Sequence, residues 1–168
     1  MTHSQRGAAL ITALLLLVVL TILGVSVMQM SRVQEKMAGN TRDINVGFET
    51  AEGALRNAEA FVRSQSDRPI ACAESTCDFR AAATVGDVAN QADTWWDSNG
   101  KAFADGAGKQ MSGVAKNPRY VIEELTTVAG LDPQDPTAGR TFYQITARST
   151  GASGLANTVV QSTYARKY

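Results

Sequence analysis

The chain has 168 residues, 44% of them hydrophobic, enough for one modest core, so one domain with an appended segment is the starting expectation. Lysine and arginine total 16 and aspartate and glutamate total 16. No strongly basic field exists to hold nucleic acid through counterion release, and no nucleic-acid partner is expected.

The first element is apolar. Ala8 to Ser31 carries no charged side chain over 24 residues. As a helix, this run would reach roughly 36 Å, enough to cross a hydrocarbon core. A cleaved secretory signal has a shorter apolar stretch, about 7 to 15 residues, and a small-residue cleavage site after it. The run is therefore read as a transmembrane helix over residues 8–30. Arg6, His3 and the start amine precede it, while Arg32 and Lys36 follow with Glu35 between them. A short basic head with nearly all of the chain after it favours the amino end inside and the bulk exported.

An amphipathic continuation follows over residues 31–64. Val33, Met37, Ile44, Phe48, Ala51, Leu55, Ala58 and Val62 recur at three, four or seven residues and form one helical stripe. Arg32, Glu35, Lys36, Arg42, Asp43, Glu49, Glu52, Arg56, Glu59 and Arg63 occupy the remaining face, read as solvated. No proline occurs before Pro69, so one helix from about Ala8 to Ser64 is predicted, with Gly39, Asn40 and Gly47 as weak points.

Residues 65–118 have no sustained period and read as a connecting αβ region with one short helix. Cys72 and Cys77 lie there, and an even count in an exported domain reads as a disulfide; two buried thiols are the alternative. Zinc would need about four Cys or His ligands, and the single histidine, His3, precedes the membrane segment, so no metal is expected. Adjacent Trp95 and Trp96 point in different directions on a helix or a strand. One is expected to pack on the domain and the other to lie nearer the surface; Trp95 and Trp96 are candidate partner contacts, and both plugging the small core is the alternative.

Residues 119–168 read as sheet. Arg119 to Leu125, Thr141 to Thr150 and Asn157 to Ala165 are rich in Val, Ile, Thr, Tyr and Phe and predict at least three antiparallel strands. Gly151 to Asn157 is a hairpin loop by composition, and Asp132 to Thr137 lies in a longer loop. Asp132 and Asp135 could join a calcium site, but calcium takes six to eight oxygens, and turn chemistry accounts for Asp-Pro pairs equally well.

Gln5-Arg6-Gly7 followed by Ala8-Ala-Leu-Ile-Thr12 resembles a class III pilin signal. Arg6-Gly-Ala-Ala-Leu-Ile, Gln34-Glu-Lys-Met-Ala-Gly-Asn40, Phe48-Glu-Thr-Ala-Glu-Gly-Ala-Leu-Arg56, Pro118-Arg-Tyr-Val-Ile-Glu-Glu124 and Asn157-Thr-Val-Val-Gln-Ser-Thr-Tyr-Ala-Arg166 resemble the PilX group of type IV minor pilins. The resemblance implies an α+β, type IV pilin-like fold: a long amino-terminal helix packed on a carboxyl-terminal antiparallel sheet. It also implies a cytoplasmic leader over residues 1–7, cleavage by prepilin peptidase between Gly7 and Ala8, and N-methylation of Ala8. The subunit would sit in the bacterial inner membrane as a single-pass protein with its carboxyl-terminal domain in the periplasm, and then join a surface filament. The implied partners are other minor pilins, the major pilin, the inner-membrane assembly machinery, the lipid bilayer before assembly and a large tip adhesin.

Most pilins carry glutamate at the fifth mature position, where it is thought to pair with a neighbour's amino terminus in the apolar filament core. Here that position is Thr12. An unpaired buried ammonium is costly, which disfavours repetition along the shaft. The type II secretion tip pseudopilins, the GspK group, share this lack. The resemblance therefore implies a place at or near the filament tip, where the subunit primes assembly.

A type II secretion tip pseudopilin is the alternative within the same superfamily, and two other classes compete with this reading. An unprocessed bitopic scaffold with a periplasmic interaction domain would keep Met1 to Gly7. A tethered enzyme would lack any histidine after cleavage, and no convergent catalytic set is visible, so neither enzyme activity nor a cofactor is expected.

Overall fold

The computed structural model describes residues 6–73, 77–82, 86–104, 110–128 and 139–168. It divides into two compact units, Met1–Thr41 and Arg42–Tyr168. A single helix, α1 (Arg6–Ser64), supplies all of the described part of the first unit and opens the second. β1 (Phe79–Ala81), a 3-10 turn at Val88–Asn90, α2 (Asp93–Asn99), β2 (Lys101–Ala102), β3 (Arg119–Val128), β4 (Arg140–Ser149) and β5 (Thr158–Lys167) follow.

The end of α1 is well specified. The last carbonyls of a helix have no partner within it, and here the Arg166 guanidinium donates to the carbonyls of Val62 and Gln65. Gln65 N–H closes a tighter last turn on the Val62 carbonyl at 3.3 Å. A cation at a helix carboxyl end also suits the macrodipole.

The sheet has five strands in the order β1-β3-β4-β5, with β2 also on β3. β3 and β4 pair antiparallel, with a register shift between Glu124 and Thr126, and β4 and β5 pair antiparallel over all ten residues of each strand. β1 runs parallel to β3, with Phe79 opposite Ile122 and Arg80 opposite Glu123. The α+β, pilin-like architecture expected from the sequence is present, extended by two short strands on the β3 edge.

Side-chain alternation gives the sheet two covered faces. On one, Tyr120, Ile122, Tyr143, Ile145 and Ala147 pack with Phe79 against Ala54, Leu55, Ala58 and Val62 of α1. The small alanines let helix and sheet approach closely. Phe79 stacks on Phe61 and meets Tyr143 edge-on, with ring centroids 5.6 Å apart in both pairs. On the other face, Val88 and Trp96 close over Val121, with Trp95 half-buried beside them.

Candidate assembly interface

In the first unit the α1 surface is apolar and uncovered. Leu10, Leu14, Leu17, Leu20 and Met28 are each more than half exposed. The helix is long and apolar enough to cross a membrane. Its hydroxyl side chains turn back on their own backbone: Thr12 donates to the Ala9 carbonyl at 3.0 Å, Thr21 to Val18 at 2.8 Å and Ser26 to Ile22 at 2.9 Å. These hydroxyls are thus satisfied inside the helix, as an apolar solvent or an apolar helix bundle demands. Thr12 contributes no charge. Gly7 and Ala8 lie in the first turn of α1.

The apolar stripe of α1 changes role along its length. Ala51, Leu55, Ala58 and Val62 are buried under the sheet, joined by Ala54, whereas Val33, Met37, Ile44 and Phe48 are exposed. Ile44 and Phe48 therefore leave an uncovered apolar step on the second unit.

Asp43 fixes the loop between β4 and β5 to α1. Its carboxylate accepts from Ala152 N–H at 2.7 Å, from Ser153 N–H at 2.8 Å and from the Ser153 hydroxyl. The Ser153 hydroxyl bond, with these loop amides, holds its pKa below the ordinary 3.8. Gly47 and Gly151 allow the approach. A Cβ on Gly151 would stand 2.8 Å from the Asp43 carbonyl oxygen, and its φ of 65° suits glycine in any case. Sequence reasoning placed Asp43 on a solvated face, and Glu59 and Arg63 with it. In the fold, Glu59 accepts from Ser162 at 2.9 Å and Arg63 donates to Tyr164 at 3.5 Å.

On the face away from α1, Trp96 is 2% exposed. Trp95 meets it edge-on at 5.6 Å, with the Arg80 guanidinium 5.4 Å from the Trp95 ring. Arg80 also donates to the Asn99 carbonyl at 2.5 Å. Burial lowers the pKa of Arg80 and raises that of Glu123, and the charge of each partner works against that burial effect. A disulfide joins Cys72 to Cys77. Cys72 also bridges to Arg80 beside β1, so the covalent loop closes next to the parallel strand. The buried pair Arg80 and Glu123 escaped sequence reasoning because only the cross-strand register brings them together.

Among the described residues no group of three or more His, Cys, Asp or Glu side chains is arranged to hold a metal. Asp132 and Asp135 lie outside the described residues.

Residues 6–56 match the family model PilX N-terminal, and residues 58–166 match the model for the type IV pilus assembly protein PilX C-terminal region. The chain belongs to the PilX family of type IV pilus assembly proteins. A type IV pilus biogenesis factor PilY1 homolog of Xylella fastidiosa (strain Temecula1 / ATCC 700964) is 36% identical over 70 residues, covering 40% of this PilX-family chain and 5% of the relative. The match is thus a small part of a far longer protein. No solved structure matches the chain. The PilX family is a pilus assembly component, and its amino-terminal model covers the apolar part of α1.

Proposed function

We propose that this chain is a minor pilin: a non-enzymatic subunit that primes and joins a type IV pilus at or near its tip. The observation that carries the proposal is the uncovered apolar surface of α1 over residues 8–31, matched by a pilus assembly family. Such a surface needs lipid before assembly and neighbouring helices after it. Lipid and bundle are both apolar, so side-chain packing, more than hydrophobicity, selects the partners.

In this reading, prepilin peptidase cleaves between Gly7 and Ala8 and methylates Ala8. The helix waits in the bacterial inner membrane with the domain in the periplasm and then passes to the filament through the inner-membrane assembly machinery. Other minor pilins and the major pilin are the helix partners. A large tip adhesin is a further proposed partner, and the similarity to part of a type IV pilus biogenesis factor supports only the pilus setting. Thr12 in place of a carboxylate supports a position at the tip, and Trp95 with the exposed Ile44 and Phe48 are the proposed domain contacts, whereas Trp96 is buried in the core.

Mass spectrometry of the mature amino terminus, from cells with and without prepilin peptidase, tests this directly. A peptide beginning at N-methylated Ala8 only when the peptidase is present is the expected result. An intact Met1 to Gly7 leader in both strains would replace the minor pilin with a bitopic scaffold.

A further inference from the structure

The two edges of the sheet are finished differently. At one, β1 is only three residues long, and its outer side is taken by Cys72. Cys72 N–H donates to the Phe79 carbonyl and Ala81 N–H to the Cys72 carbonyl, both at 3.1 Å. The disulfide to Cys77 holds that cover in place. Nearer the start of β3 the same edge is occupied by β2 and by Phe103 N–H, which donates to the Pro118 carbonyl at 2.7 Å.

The other edge is open. β5 pairs with β4 alone, over ten residues in one unbroken register. Only every second residue of an antiparallel strand bonds its neighbour, so the alternate N–H and C=O groups of β5 point outward. Among the described residues no loop, cap or side-chain group bonds to the β5 main chain on that side. Folded proteins blunt such edges with proline, bulges, charge or short strands, because a bare edge is a template for another chain. β5 has no proline, glycine or register shift, and Thr158 to Ala165 carries no charge.

Charge at the end of the strand narrows the occupant. Arg166 turns to the end of α1 and donates to the carbonyls of Val62 and Gln65. Lys167 stands directly opposite Arg140, and both are exposed. Neither has an ion pair among the described residues. Like charges directly opposite one another destabilise a sheet, and a carboxylate beside Lys167 on a further strand relieves that repulsion. Along β5, Val160 and Tyr164 pack on the core shared with α1, while Gln161, Thr163 and Ala165 are exposed. A strand laid beside β5 must alternate apolar and polar residues in the same way.

We propose that β5 receives an extended segment of another pilus subunit as an added edge strand, with an aspartate or glutamate in register with Lys167. The pilus subunit as its source rests on the minor-pilin reading; the open edge and its chemistry do not.

Hydrogen exchange of the full-length chain in detergent micelles, followed by NMR, tests the edge itself. Every second amide of β5 is expected to exchange many-fold faster than the amides between them, and uniform protection overturns the proposal. Lys167→Glu separates a partner role from a structural one. It gives Arg140 a counter-charge, so the melting temperature of the isolated chain should rise, while the partner's carboxylate is repelled.

In piliated cells, p-benzoylphenylalanine replaces Gln161, Thr163 or Ala165, and the photo-cross-linked peptides are mapped. The expected products join these positions to alternate residues of one acidic segment of another pilus subunit. They are lost in Lys167→Glu and return when lysine replaces the partner's carboxylate. No product, products without that alternate spacing, products with a second copy of this chain, or indifference to Lys167→Glu overturns the proposal. Retention of the Met1 to Gly7 leader would defeat the pilin reading without altering the exchange pattern or the stability of Lys167→Glu.

Discussion

Asp43 shows how one side chain joins two distant parts of the domain. Its carboxylate accepts from two loop amides and one hydroxyl, and Ser153 lies 110 positions away in sequence. The folded-state pKa is lowered from 3.8, so the stabilisation is present above that value and fades as pH falls through the lower folded value. Asp93 behaves alike, its pKa lowered by the hydrogen bond and charge of Arg148. Asp43→Asn keeps the shape and removes the charge. Its melting temperature should lie below that of the wild type near neutral pH, and the gap should close below pH 3.8, measured by circular dichroism in micelles. A gap independent of pH would mean that the carboxylate charge does not hold the loop. Nothing local to Asp43 announced this role: helical periodicity marks a polar face, but not which polar residue meets a loop a hundred positions later.

At the scale of elements, the close crossing of α1 and the β4–β5 loop should be intolerant of side chains. Gly151→Ala puts a Cβ 2.8 Å from a backbone oxygen at a φ of 65°. The strained backbone alone costs about 1–2 kcal/mol, before the clash is counted. Urea unfolding of the chain in micelles should show at least this loss; a smaller one would mean that helix and loop separate readily. The helical stripe and the β-branched runs made α1, β3, β4 and β5 legible, since each spans many periods. β1 was not legible, because three residues carry no usable alternation and its parallel partner lies over forty positions away. Its support is the adjacent disulfide. By loop-closure entropy, Cys72→Ser with Cys77→Ser should cost about 2 kcal/mol. The same unfolding measurement checks it, and added reductant should reproduce the loss in the wild type.

At the scale of the whole molecule, a folded domain follows an apolar helical half long enough to cross a membrane. The apolar run was plain in the sequence because composition alone determines it. The packing around Trp96 was not, because Val88, Trp96 and Val121 come from the 3-10 turn, α2 and β3. If Thr12 confines the subunit to the tip, Thr12→Glu restores a carboxylate able to pair with a neighbour's amine. Immunogold labelling of filaments should then move from the ends to the shaft. Labelling that stays at the ends would assign tip placement to the domain instead.

The order of elements along the chain also constrains how the domain is made. Thr50 meets Ser149 across 99 positions, and Glu59 meets Ser162 across 103. Closing such a loop costs about 4 kcal/mol of chain entropy before any contact rewards it. The helix is synthesised first and the strands that cover it last, so Ala54, Ala58 and Val62 stay bare through most of translation. Until β4 and β5 emerge, the nascent chain is a greasy helix with an open flank. This leaves a long interval in which a chaperone, a protease or a premature helix partner competes with the chain's own carboxyl terminus.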